Sequence, residues 1–235
     1  MTYNLLSIDE TVSLLLSTPV PVLFLDTCAI LDIIRLPFRI DEPTRASSYL
    51  TSAQKTIDLA LNNNIQIILL PNVPLEYQDN VAKTKDELSK HIKTLGQNIH
   101  VLNALLSPGS PSVPLDTIDI LNNIENILKP TCDKILSNSI HIYQVDSLIV
   151  KASFRVAQNL PPSRKGSIKD CIIYEHCLEL SRQLRKNGFN KNLIFHTSNT
   201  KDFCDSNQPK QKIKEEIDVL DIKLCTDWSW AHHSI

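Results

Sequence analysis

Glycine is scarce in this chain, with only four among 235 residues. Loops that wrap phosphates with backbone amides need closely spaced glycines, and the patterns GxGxxG and GxxxxGKS are both absent. This absence excludes the nucleotide-binding classes that depend on such a loop.

Paired cysteine motifs are also missing. The six cysteines form no CxxC pair, and their spacing suits no zinc module; they are Cys28, Cys132, Cys171, Cys177, Cys204 and Cys225. Several lie inside apolar runs, so we expect reduced, buried thiols and a cytosolic protein. The seven histidines form no HExxH motif, which excludes that class of zinc hydrolase.

Long hydrophobic runs and an excess of basic charge are absent as well. No apolar segment approaches the ~18 residues of a membrane span. The N-terminus has acidic residues before its apolar stretch and no basic region, so we expect no signal peptide and a cytoplasmic location. The net charge is −2, so a nucleic-acid partner would need a local basic patch.

Four short apolar runs predict buried strands, at 21–26, 65–71, 192–198 and 218–225. The first three are nearly continuous rather than alternating, which is typical of a parallel sheet covered on both faces. Helical patterns lie between them, so we predict an α/β fold with right-handed crossovers.

Helical spacing also occupies the middle of the chain, where residues 76–160 contain no convincing strand. We therefore predict a single domain over 1–235 with a helical insertion at 77–160. The clearest helix follows Ser167, a favourable N-cap, and is expected to stop at Gly188.

Four acidic residues from distant segments fall where strands end or helices begin. Asp26 follows the first strand, Glu76 and Asp170 lie in first helical turns, and Asp202 follows Ser198 and Asn199 after the third strand. The carboxyl ends of parallel strands are where open α/β sheets bind ligands. The sequence thus predicts converging carboxylates, which Mg²⁺ or Mn²⁺ would stabilise.

These segments resemble the PIN-domain nucleases, the fold of the toxin ribonucleases of bacterial toxin–antitoxin operons. The matching stretches are "LFLDTCAIL", "PNVPLEY", "SIKDCIIYEHCLEL" and "HTSNTKDF", within residues 20–76 and 165–225.

The resemblance implies a three-layer α/β/α fold and a metal-dependent endonuclease. Single-stranded RNA is the substrate that it favours. It implies that Mg²⁺ or Mn²⁺ binds Asp26, Glu76, Asp170 and Asp202, with Ser198 and Asn199 as hydrogen-bonding members of the site. An antitoxin or another regulatory protein is an expected partner, as is a second copy of the chain in a homodimer.

Each site residue also has a structural interpretation. Asp26 is a good helix N-cap, and Glu76 and Asp170 could simply complement helix dipoles. Asp202 could pair with Lys201, and Asn199 could be only a turn residue.

Basic residues near Asp170 have two interpretations of the same kind. Arg164, Lys165 and Lys169 could grip substrate phosphates or could belong to a solvated loop. Glu175 and Glu179 point away from the face of Asp170 at 100° per residue, so we interpret them as structural.

Aromatic and histidine side chains near the C-terminus favour structural roles. His196 is predicted to be a hydrogen-bonded histidine inside a strand. Trp228 and Trp230 are predicted to hold the C-terminal segment against the rest of the protein by packing.

Two rival functions remain open from the sequence. One is a catalytically silent PIN-like module that binds RNA or protein. The other is a metal-dependent phosphohydrolase of small molecules, although the first acid reads Asp26-Thr27-Cys28 and lacks the DxD pattern of a nucleophile motif.

Overall fold

A six-stranded parallel sheet forms the centre of the protein. The computed structural model describes residues 4–39, 42–106, 117–163, 167–206 and 208–235. The strand order is β1-β4-β3-β2-β5-β8, and all five neighbouring pairs are parallel. The strands are β1 (Asn4–Leu6), β2 (Val22–Leu25), β3 (Gln66–Leu69), β4 (Ile140–Ile142), β5 (Leu193–His196) and β8 (Ile222–Cys225). Two-residue strands β6 (Cys204–Asp205) and β7 (Gln208–Pro209) form a separate antiparallel pair.

Helices cover both faces of the sheet, and the predicted three-layer α/β/α fold is confirmed. One packed group comprises α2 (Thr27–Arg39), α3 (Pro43–Leu61), α4 (Val73–Leu106), α5 (Thr117–Ser137) and α10 (Trp228–His233). The other comprises α1 (Ile8–Ser17), α6 (Asp146–Ala157), α7 (Ile168–Lys186) and α9 (Gln211–Leu220). The short helix α8 (Thr200–Phe203) follows β5. Within the described ranges, no helix combines the length and apolarity needed to cross a bilayer.

The central strands are apolar because they are buried on both faces, as the sequence predicted. All four residues of β2 are fully buried, and β2 pairs with β3 on one side and β5 on the other. Leu25, the last residue of β2, is in register with Leu69 and with His196. The three central strands therefore end at the same level, and the residues that follow them meet at one edge.

One strand lies inside the range that was predicted to have none. β4 falls within residues 76–160, joins β3 and β1, and has all three of its residues buried. The prediction of a strand-free 76–160 is therefore wrong. An apolar stretch of three residues is too short to show a period, so only its pairing with β3 identifies it.

The last predicted strand is shorter than expected. Residues 218–220 belong to α9, whose buried Ile213, Ile217 and Leu220 follow helical spacing. Asp221 then ends the helix with φ of +49°, and β8 begins at Ile222. The left-handed residue after a helix is a common C-terminal stop.

Helix α7 begins and ends where the sequence predicted. Ser167 is its N-cap residue, but its hydroxyl makes no capping hydrogen bond to the backbone and bonds the Asp170 carboxylate instead. Gly188 follows the helix with φ of +82°, a conformation that glycine adopts without a steric penalty.

Candidate active site

Three of the four predicted acids line one cavity at the carboxyl end of the sheet. Asp26 follows β2, Glu76 lies in the first turn of α4, and Asp170 lies in the first turn of α7. The cavity has a volume of about 520 Å³. We call it the carboxylate cavity; its other lining residues are Thr27, Cys28, Leu31, Arg35, Arg39, Asn80, Ser198, Asn199, Thr200 and Lys201.

Asp26 is buried, and three hydrogen-bond donors hold its carboxylate. The backbone N–H of Thr27 donates to Oδ1 at 2.6 Å, while Cys28 Sγ and Thr197 Oγ1 donate to Oδ2 at 3.0 and 2.7 Å. Burial raises the pKa of Asp26, and the charge of Glu76 adds to the rise, whereas the three donors oppose it. The carboxylate is thus fixed in orientation by α2 and by Thr197, which directly follows β5.

Glu76 is oriented by the residue that follows Asp26. Thr27 Oγ1 donates to Glu76 Oε2 at 2.9 Å, and Lys169 Nζ lies 3.4 Å from Glu76 Oε1. This hydroxyl links the first turn of α2 to the first turn of α4. The Lys169 side chain is mostly exposed, so the contact between its ammonium and Glu76 lies at the rim.

The pKa of Asp170 depends on burial and on the other acids of the site. Its pKa is raised to about 6 by burial, and the negative charges of Asp26, Asp202 and Glu76 raise it further. A hydrogen bond of 2.5 Å from Ser167 Oγ opposes the rise. Asp170 is therefore electrostatically coupled to the other three acids.

The fourth acid is outside the lining of the cavity. Asp202 lies in α8, and its Oδ2 accepts a 2.6 Å hydrogen bond from Asn199 Nδ2. Asn199 and Ser198 do line the cavity, and the backbone N–H of Ser198 donates to Cys28 Sγ at 3.2 Å. Asp202 therefore contributes charge and orients Asn199, rather than facing the cavity directly.

The chemistry of these donors fits a hard divalent cation. Carboxylate, hydroxyl and amide oxygens are the ligands that Mg²⁺ and Mn²⁺ prefer, and Asp26, Glu76 and Asp170 would hold such an ion. Burial raises the pKa of Asp170 most, and the repulsion from the other carboxylates that adds to this rise is what a cation between them would relieve. In the part of the chain that the structure describes, no three His, Cys, Asp or Glu side chains already stand close enough to hold a metal ion.

Several residues of the site were not predicted from the sequence. Thr197 holds Asp26 across the β2–β5 pair, and its role depends on a contact between residues 171 positions apart. Arg35 and Arg39 line the cavity as well. Their spacing from Cys28, at seven and eleven residues, is the one sequence signal that could have indicated them, because these positions share a helix face.

The remaining charged residues fall into two groups. Arg164 and Lys165 lie outside the described residues, so their predicted phosphate contacts stay predictions. The structural interpretation of the two glutamates is confirmed: Glu175 pairs with Arg155 at 2.7 Å, and Glu179 contacts Lys151 and Arg182.

His196 corrects one expectation. It is fully buried, but neither ring nitrogen has a hydrogen-bond partner among the described residues, so the prediction of a hydrogen-bonded histidine is wrong. Its ring instead packs perpendicular to that of Trp228, with centroids 4.8 Å apart. Trp228 is buried as expected and donates to the Ala29 carbonyl, whereas Trp230 is 46% exposed and is not packed down.

Comparisons with known proteins found no match to this chain among protein-family models, curated proteins or solved structures.

Proposed function

We propose that this protein is a metal-dependent nuclease that hydrolyses phosphodiester bonds, with single-stranded RNA as its substrate. The observation that carries the proposal is the convergence of Asp26, Glu76 and Asp170 on one cavity, from segments separated by 50 and 94 residues. The PIN-like motifs around these acids favour RNA over other phosphodiesters. An antitoxin, another regulatory protein or a second copy of the chain stays a predicted partner.

The side chains of this chain would bind and orient the reacting groups. A divalent cation held by Asp26, Glu76 and Asp170 would lower the pKa of a bound water and offset charge on the phosphate. Thr197, Cys28 and Thr27 keep the first two carboxylates in a fixed orientation, which reduces the reorganisation needed during reaction. Asp170 holds a proton on its carboxyl group below about pH 6, so protons compete with the cation there.

Cleavage assays with matched substrates test the proposal. The chain is incubated with a single-stranded RNA, a DNA of the same sequence and a small phosphate ester, each with Mg²⁺, Mn²⁺ or a chelator. We expect RNA cleavage that requires the metal. The Asp26→Asn variant should lose activity by at least about 100-fold, the usual effect of removing a charge-stabilising group from an active site. Asp146→Asn, an exposed first-turn acid of α6 outside the cavity, is the control.

Other outcomes would contradict the proposal in distinct ways. Turnover of the small ester alone would favour the phosphohydrolase. Metal-independent RNA binding without cleavage would favour the silent binding module. If Asp26→Asn cleaved RNA at the wild-type rate, Asp26 would have no part in the reaction.

A further inference from the structure

One wall of the carboxylate cavity is positively charged. Arg35 and Arg39 line it from α2, the helix that begins directly after Asp26. With Cys28 and Leu31 they form a stripe along one face of this helix, and all four residues line the cavity. The acids thus occupy one end of the stripe and the arginines the other.

The two arginines share a single carboxylate. Arg39 Nη1 lies 2.5 Å and Arg35 Nη1 3.3 Å from the same oxygen, Asp32 Oδ1. The Asp32 side chain is only 10% exposed, whereas that of Arg39 is 46% exposed. One arginine would suffice to neutralise Asp32, so the cluster retains one positive charge at the cavity.

The positive charge lies a short way along α2 from the acids. The Arg39 guanidinium contacts Asp32, which is four residues beyond Cys28, ~6 Å along the axis at ~1.5 Å per residue. A strand that continues from Asp26 along α2 would bring its next phosphate toward this guanidinium, whereas a substrate with a single phosphate has no further phosphate to place there. Guanidinium groups bind phosphate oxygens through paired N–H donors, and Asp32 fixes their position.

We propose that Arg39, with Arg35, binds the phosphate backbone of a nucleic-acid strand beyond the bond held at Asp26. This inference rests on the proposed function and narrows its substrate to a strand that carries at least one phosphate beyond the bond that is cleaved. The arginines add to the positive charge of Lys201 in a cavity that three carboxylates line.

The salt dependence of binding tests this role. Arg39→Gln is the informative variant, because Asp32 keeps Arg35 as a partner and no buried charge is left alone. Binding of a fluorescent single-stranded RNA is measured in the Asp26→Asn background across a salt series. Each phosphate contact on a single strand contributes about −0.7 to the slope of log K against log salt. We expect Arg39→Gln to flatten the slope by about 0.7, and Arg39→Lys to keep it.

Arg182→Gln is a closely matched control. Arg182 is 51% exposed and contacts an acid three residues earlier, Glu179, which keeps Lys151 as a second partner. It lies twelve residues beyond Asp170 on α7, ~18 Å along the helix axis. This variant should leave the salt slope unchanged.

Substrate length gives a second readout in the otherwise wild-type enzyme. At 0.1 M salt a slope change of 0.7 corresponds to about a 5-fold change in binding. Arg39→Gln should therefore raise KM about 5-fold on a ten-nucleotide RNA, with kcat unchanged, and should not alter KM on a dinucleotide whose single phosphate is the one that is cleaved.

The inference and the proposed function can fail separately. If RNA is cleaved but Arg39→Gln matches Arg182→Gln in salt slope and KM, the binding role of Arg35 and Arg39 is refuted while the nuclease proposal is supported. The opposite outcome is that no metal supports cleavage, while Arg39→Gln flattens the salt slope and Arg39→Lys keeps it. In that case the binding role of the arginines is supported and the proposed nuclease activity is refuted. A wild-type chain that binds no single-stranded RNA overturns the inference.

Discussion

Replacing Asp170 by asparagine should stabilise the metal-free protein at neutral pH. The Asp170 carboxylate is half-buried and is repelled by Asp26, Asp202 and Glu76, so its charged form is unfavourable in the folded state. Asparagine is nearly the same size and can still accept the hydrogen bond from Ser167. The substitution therefore removes charge and changes little else.

The size of the effect follows from the pKa of Asp170. The folded-state pKa is about 6, compared with an ordinary value of 3.8. At ~1.36 kcal/mol per pH unit this difference costs at most about 3 kcal/mol, and less where water screens the carboxyl group. The folded state binds this proton more tightly than the unfolded chain does. The free energy of unfolding therefore falls as pH rises from about 4 to about 6, and the full cost is present above pH 6.

Denaturant unfolding in the presence of a chelator measures this cost. The difference in unfolding free energy between Asp170→Asn and the wild type should be about a third of its full value near pH 4.5 and should grow to about 2–3 kcal/mol by pH 8. Taking the difference cancels the titration of the groups that do not interact with Asp170. Asp146→Asn, which also replaces a first-turn acid, controls for the loss of a favourable helix-dipole interaction.

Two results would refute this reasoning. A difference that stays constant with pH would mean that Asp170 is not electrostatically strained. A difference that shrinks as pH rises would mean that the carboxylate is stabilised by its neighbours. Adding Mg²⁺ at pH 8 gives a further check on the proposed function, since it should raise the Tm of the wild type more than that of Asp170→Asn.

Two further predictions concern buried groups outside the site. His196→Phe should raise the denaturant midpoint by the equivalent of about 1–2 kcal/mol, because it removes two unpartnered ring nitrogens and keeps an aromatic edge contact with Trp228. The gain should grow below pH 6.5, since burial lowers the pKa of His196 to about 3 and the unfolded chain alone takes up the proton; a lower midpoint would contradict this. Arg155→Met should cost about 3–5 kcal/mol of stability, because it leaves Glu175 and Glu216 without their buried partner. Arg182→Met is the control, and a loss below about 1 kcal/mol would contradict the prediction.

The α/β class and three members of the cavity could be predicted from local patterns in the sequence. A continuous apolar run followed by a carboxylate, as at β2 and Asp26, indicates both a buried parallel strand and its carboxyl end. Because parallel strands end at a common edge, acids that follow different strands, or begin the helices after them, are brought together by topology alone. Glu76 begins the helix after β3, and Asp170 begins the helix before β5, whose first turn lies at the same edge because the helix runs back to the start of that strand.

Tertiary structure decided the features that depend on partners far away in the chain. β1 and β4 are each three residues long, too short to show a hydrophobic period in the sequence. They form strands because β1 pairs with β4 and β4 pairs with β3. Asp202 follows a strand just as Asp26 does, but the path of α8 turns it toward Asn199 and out of the cavity lining. Arg39 faces the cavity because α2 runs along it. A sequence pattern specifies which face a side chain occupies, but only the packing of elements determines what that face meets.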